Sequence, residues 1–152
     1  MKIYLIRHAE TLYNADLSYL YTNDVPLTPY GCLQASLLTG HYDVVIVSPL
    51  KRTQMTFEHS QIIGDSVYVE PRVREHIAYQ CDRQVEENIE LETEHDVKRR
   101  CSQFRDYLRL TYTNQRICIV THTNWIKFFL EINGYELLGD CLGNCQMITI
   151  DL

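Results

Sequence analysis

Short apolar runs separated by stretches of helical period set the outline of this chain. Lys2-Ile3-Tyr4-Leu5-Ile6, Asp43-Val44-Val45-Ile46-Val47 and Arg116–Thr121 read as buried strands, short and rich in β-branched residues. Val67-Tyr68-Val69 centres a short strand over 66–70, and Cys145 to Ile150 reads as a terminal one. Helical patterns lie between them. Thr28-Pro29 offers an N-cap followed by proline at the first helical position. Leu33, Leu37 and Leu38 then form an apolar face, and Gly40 supplies a stop. Ser48-Pro49 repeats the cap-plus-proline signature and opens a helix to about Gln61. From Glu94 to about Thr111, Val97, Cys101, Phe104 and Leu108 recur at three- and four-residue steps, which predicts an amphipathic helix. A further helix runs from about Asn124 to Ile132. Strands alternating with helices predict a layered α/β fold with a largely parallel sheet, whose last strand can be an antiparallel edge.

The chain has 152 residues, a length that suits a single domain spanning 1–152. A net charge of −6 argues against a general nucleic-acid binder. The acidity is concentrated between Glu86 and Asp96, which reads as a solvated face before a helix. No apolar run approaches the roughly 20 residues needed to cross a bilayer, so no membrane role is expected. The chain begins directly in strand-like sequence, without the regions of a signal peptide, and a cytoplasmic location is expected. All six cysteines read as thiols. Cys141 and Cys145 lack a second matching pair, so no zinc or other metal site is expected. His41, His59, His76 and His95 read as surface residues. The scattered tyrosines are assigned to packing and pocket walls.

Chemistry concentrates where the strands stop. The first strand delivers Arg7 and His8 side by side, and Arg116–Thr121 delivers His122. In open α/β sheets, ligands bind beyond the carboxyl ends of the strands. Arg52 lies in the first turn of the helix after the second strand, where backbone N–H groups are unpaired and the helix dipole is positive. Arg7, His8, Arg52 and His122 in one pocket would suit a phosphoryl group, which needs positioning and charge neutralisation.

These residues, in this order, resemble the histidine phosphatase superfamily, the phosphoglycerate mutase-like family. Arg7-His8-Ala9-Glu10-Thr11 is similar to its Arg-His-Gly-Glu-Thr signature, and Asn14 matches the asparagine that follows. Asp24 to Gly31, with Gln34 and Ala35, resembles the next motif. Ser48-Pro49-Leu50-Lys51-Arg52-Thr53 resembles Ser-Pro-Leu-x-Arg-Ala. Arg74-Glu75 sits where the family keeps its acid, and Val120-Thr121-His122-Thr123 resembles Val-Ser-His-Gly. The likeness runs from about residue 2 to 150. It departs from the family at Ala9 and Thr123, which stand for glycines, and in lacking the glycine-rich continuation after the acid. The resemblance implies a three-layer α/β/α sandwich, mostly parallel, with an antiparallel edge strand. It implies His8 as nucleophile through a phosphohistidine, and Arg7, Arg52 and His122 as phosphoryl ligands with Asn14 in support. Glu75 would be the acid and base, with Glu70 as the alternative. Thr123 and Thr28 are further candidate substrate contacts, Thr28 being first a helix cap. No cofactor or metal is implied.

The family includes mutases and phosphatases, and the cover over the pocket separates them. The interval between Glu75 and His122 is short and largely taken by the amphipathic helix. Only a minimal lid, about 71–95, remains, and the chain ends with its last strand, so hydrolysis of a phosphate ester is favoured. Arg72, Arg74 and Arg83 could contact a second anionic group, which favours small-molecule esters over a phosphoprotein. The alternatives are a phosphohistidine protein phosphatase, a mutase-type phosphotransferase that depends on a cofactor, and an inactive module that binds phosphorylated ligands.

Overall fold

A computed structural model describes residues 1–83, 90–137, 139 and 141–152. Five strands form one sheet in the order β3-β2-β4-β1-β5. They are β1 (Lys2–Arg7), β2 (Thr39–Val47), β3 (Gln61–Val69), β4 (Arg116–Thr121) and β5 (Met147–Asp151). The first four are parallel, and β5 runs antiparallel along β1 at the edge. The helices are α1 (Leu12–Ala15), α2 (Pro29–Ser36), α3 (Lys51–His59), α4 (Glu94–Thr111) and α5 (Thr123–Ile132).

The strands are covered on both faces, and side-chain alternation divides them between two cores. Ile3, Leu5, Ile117 and Ile119 join the cluster built with Phe104, Trp125 and Phe129 of α4 and α5. Ile6, Val45, Cys118 and Val120 face the other way, against Leu38 and Phe57. The expected three layers are therefore present. Helix α4 has the expected bounds, and its Val97, Cys101, Phe104 and Leu108 are all buried. No helix among the described residues is long and apolar enough to cross a membrane.

Several local expectations are corrected by long-range pairing. Strand β2 begins at Thr39 because it pairs with Gln61 at the start of β3. Gly40 is therefore a strand residue opposite Ile62, and α2 already ends at Ser36 with Leu37 as its cap. Leu33 and Leu37 are 66% and 80% exposed, so of the three leucines only Leu38 packs against the core. Helix α2 buries Gly31 and Ala35 instead. Helix α3 starts at Lys51, and its N-cap Leu50 makes no side-chain bond. Ser48 extends the sheet, with its N–H donating to the Val120 carbonyl (3.1 Å). The terminal strand starts at Met147, and Cys145 instead takes a left-handed conformation (φ 58°). In the acidic stretch, residues 86–89 lie outside the described residues. Glu92 is not a solvated acid, since its carboxylate pairs with Arg100 (2.8 Å) in a setting only 12% exposed. His76 is not a surface residue either. Its ring packs edge-on to Phe128, and Nε2 meets the Glu92 carbonyl.

The Thr28 cap is present as read, its Oγ1 accepting from the Gly31 N–H (2.9 Å). This turn presses against the loop that follows β1. A Cβ added at Gly31 would lie 2.1 Å from the Glu10 carbonyl oxygen. Gly31→Ala should therefore destabilise the protein by about 1–3 kcal/mol, as overpacking against backbone does. Chemical denaturation of the two proteins checks this, and equal midpoints would contradict it.

Candidate active site

Sheet register brings the candidate residues together. Strands β1 and β4 are neighbours with Arg7 opposite Thr121, and the His8 N–H donates to the Thr121 carbonyl (2.9 Å). His8 and His122 therefore leave adjacent strand ends, and their ring centroids are 5.3 Å apart. Val47 pairs with Val120, which puts Ser48 and the start of α3 at the same edge. A cavity of about 220 Å³ opens there. Arg7, His8, Asn14, Arg52, Glu75 and Thr123 all line it.

His8 is buried, and its Nδ1 lies 2.8 Å from its neighbour's carbonyl, that of Ala9. A carbonyl only accepts, so Nδ1 carries the proton and Nε2 keeps its lone pair. Burial, followed by the Arg52 and Arg7 charges, holds the imidazole well below its ordinary value of 6.5. His8 is thus a neutral base with one free nitrogen. Ala9 itself is not among the residues at positive φ, so the change from glycine brings no backbone strain. Its N–H donates to Thr56 Oγ1 (2.9 Å).

Arg52 is 4% exposed and is held on three sides. Its Nε donates to His122 Nδ1 (3.2 Å), and its terminal nitrogens donate to the Cys81 carbonyl (2.9 Å) and the Asp82 carboxylate (3.2 Å). His122 in turn presents Nε2 to Ser48 Oγ at 2.7 Å. With Nδ1 accepting, Nε2 is the protonated nitrogen, and both nitrogens are occupied. Burial and the neighbouring Arg52 hold this imidazole well below its ordinary value too. His122 is thus a neutral support for Arg52, and neither of its nitrogens is offered to the cavity. Arg7 donates to the Leu142 carbonyl, while its buried Nε has no hydrogen-bond partner. The buried Thr123 hydroxyl also has none. A buried donor left unsatisfied costs about 1–3 kcal/mol. An anion accepting from both groups would recover that loss.

The structure separates the two candidate acids. Glu75 lines the cavity, and its Oε1 accepts from the His76 and Trp125 N–H groups (2.9 and 3.1 Å). Burial and the nearby Asp82 charge raise its proton affinity above the ordinary carboxylate value, against the opposing pull of Arg52. Glu70 does not line the cavity. It binds the Arg72 guanidinium through both oxygens (2.9 and 2.7 Å). Burial pushes its pKa up, but the bonds and charge of Arg72 outweigh burial and bring it down.

Other expectations fare differently. Asn14 lines the cavity while also completing the capping box of α1 with Thr11. Thr28 is away from the cavity, since its hydroxyl is spent on Gly31 and on Glu10 Oε1 (2.8 Å). Arg72, Arg74 and Arg83 do not line the cavity. Arg72 is held by Glu70, and Arg74 lies 3.8 Å from Glu92. Sequence reasoning missed Asp82, a buried carboxylate on the cavity wall that also accepts from the Tyr79 N–H (3.1 Å). Nothing local marks it apart from other acids of that region. It also missed Ser48 as the partner of His122.

The family model for the histidine phosphatase superfamily (branch 1) matches residues 3–90. The chain belongs to the histidine phosphatase superfamily. It is 34% identical over 80 residues to a protein of Hydrogenobacter thermophilus named "Putative phosphoserine phosphatase 2". That match covers 49% of this chain and 39% of the relative. A phosphoserine phosphatase of Entamoeba histolytica, solved with 3-phosphoglyceric acid, superposes with a TM-score of 0.72 at 24% identity, over 97% of this chain and 89% of the other. The alpha-ribazole phosphatase of Shigella flexneri gives 0.73 at 23%, over 100% and 91%. These likenesses extend the shared superfamily fold across nearly the whole chain.

The neutral histidines carry a pH signature. The folded pKa of His8 is depressed, so below 6.5 the unfolded chain takes up the proton that the folded site refuses. Its contribution to stability is complete above pH 6.5 and is lost as pH falls towards the folded value. His8→Gln removes this term. The variant should gain stability relative to the parent on going from about pH 7.5 to about pH 5.5, measured by urea unfolding. A constant difference would contradict the burial argument.

Proposed function

We propose that this member of the superfamily is a phosphomonoesterase that hydrolyses phosphate esters through a phosphohistidine on His8 and needs no metal ion. The observation that carries this reading is the content of one cavity. It holds a neutral imidazole with a free Nε2, two guanidinium groups, and a carboxyl group whose proton affinity is raised.

The chemistry runs in two transfers. Nε2 of His8 attacks phosphorus, and the bond from phosphorus to the leaving oxygen breaks. Glu75 donates its proton to that oxygen, so the alcohol departs neutral. Nδ1 keeps its proton on the Ala9 carbonyl throughout, which fixes the ring and disperses the positive charge that forms on it. Water then attacks the phosphohistidine, Glu75 takes a proton from it, the P–N bond breaks and inorganic phosphate leaves. Arg7, Arg52 and the Thr123 hydroxyl hold the phosphoryl oxygens, with Asn14 beside them. His122 acts through Arg52, whose plane it fixes. Preset donors of this kind stabilise the charge developing in phosphoryl transfer without reorganising. A small-molecule phosphate ester is the favoured substrate class, in keeping with relatives named for phosphoserine and alpha-ribazole.

Hydrolysis of p-nitrophenyl phosphate in EDTA tests the reading. The wild type should turn over, and His8→Ala should lose essentially all activity, because among the described residues no other imidazole lines the cavity. Retained turnover in that variant would remove His8 as nucleophile. Glu75→Gln gives a separate check on the acid. It should slow an alkyl phosphate by about 10²-fold or more, the usual scale of general acid catalysis, and slow p-nitrophenyl phosphate much less. Equal losses on both substrates would reduce Glu75 to a structural role.

A further inference from the structure

The cavity wall beyond the phosphoryl-binding groups has a composition of its own. Its side chains include Tyr13, Asn14, Val25, Tyr79, Asp82 and Asn124. Tyr13 lies close enough to Cys81, Tyr79 and Asp82 for their charges to raise its pKa, after the larger effect of burial. Two tyrosines and a carboxylate thus share the cavity wall. Among the described residues that line the cavity, the permanent cations are Arg7 and Arg52. Both are needed by the phosphoryl group itself.

Arg72, Arg74 and Arg83 lie near this wall in sequence but do not line the cavity. Arg72 binds Glu70 through two nitrogens and stacks 4.3 Å from the centre of the Tyr107 ring. Arg74 pairs with Glu92. Residues 84–89, 138 and 140 contain no lysine, arginine or histidine in their sequence, so they bring no positive charge. A carboxylate carried by the leaving group would enter beside Asp82 with no cation of its own. Like charges close together in a partly desolvated site repel strongly, and an unpaired buried charge is expensive. A neutral alcohol or an aromatic ring meets none of this. It finds amide and phenol groups for hydrogen bonds and ring faces for contact.

We propose that this cavity selects phosphate monoesters whose leaving group carries no negative charge and discriminates against esters bearing a carboxylate or a second phosphate. This rests on the hydrolase reading above and specifies the substrate class of that site.

Glycerol 3-phosphate and 3-phosphoglycerate form a matched pair, differing in a hydroxymethyl group against a carboxylate. The expected kcat/KM for glycerol 3-phosphate is about tenfold or more above that for 3-phosphoglycerate, equivalent to about 1.4 kcal/mol of discrimination. Tyr79→Arg puts a cation on an exposed part of the same wall and should narrow the ratio by a similar factor. Equal rates, or a preference for 3-phosphoglycerate, would overturn the proposal while leaving the hydrolase reading intact. A ratio unmoved by Tyr79→Arg would overturn its assignment to this wall. Absence of turnover on both esters and on p-nitrophenyl phosphate would instead remove the hydrolase reading. Calorimetric binding of the same pair then decides the selectivity by itself. Tighter binding of glycerol 3-phosphate supports it, and equal or weaker binding overturns it.

Discussion

The site depends on a buried guanidinium. Arg52 is almost fully removed from water, and a charge in that position must be paired and hydrogen-bonded. Its partners come from three parts of the chain: His122 at the end of β4, the Cys81 carbonyl, and the Asp82 carboxylate. That single group therefore ties α3, the end of β4 and the segment before residue 84 into one arrangement. It also sets the protonation of its neighbours. The same positive charge helps keep both histidines neutral, and it opposes the rise in proton affinity at Glu75. In the proposed reaction, burial and this field keep the His8 nucleophile neutral, whereas burial and Asp82 hold the proton on Glu75 against the pull of Arg52.

A second framework holds Glu75. Arg100 donates to the carbonyls of Arg72 and Arg74 (2.9 and 2.8 Å) and reaches that of Glu75 (3.3 Å), while its own charge is met by Glu92. The Trp125 indole donates to the Arg72 carbonyl (2.7 Å), and the Trp125 backbone N–H holds the Glu75 carboxyl. The segment that carries Glu75 is therefore anchored to α4 and α5, the two helices of the larger core. Trp125 is wholly buried and stacked on Phe129 at 4.7 Å between ring centres, so the carboxyl is aimed from a rigid base.

The two halves of the cavity differ in kind. The phosphoryl side is built from strand ends and helix starts, elements that the sheet fixes firmly. The opposite side, which the proposed reaction gives to the leaving group, comes from α1, the segment around Tyr79 and the start of α5. Superfamily membership speaks to the first half, where the matched motifs lie. In the proposed reaction, substrate choice belongs to the second.

The apolar pattern and the order of the motifs were enough to place most elements and to nominate residues at the strand ends. Apolar runs gave the strands, the period of Val97, Cys101, Phe104 and Leu108 gave α4 with its bounds, and the ordered motifs nominated Arg7, His8, Arg52 and His122 with Glu75, of which all but His122 line the cavity. These signals are legible because periodicity, capping and strand ends are local properties. Tertiary structure decided whatever depended on a neighbour distant in sequence. It made Ser48 a partner of His122 rather than a helix cap, and it spent Thr28 on Glu10 and Gly31. It also tied Glu70 to Arg72 and left Glu75 for the cavity. Asp82 became visible only when the fold put it against Arg52. A charge's partner, a histidine's tautomer and a carboxyl's proton affinity are set by atoms within a few ångströms in space, and linear order does not encode that proximity.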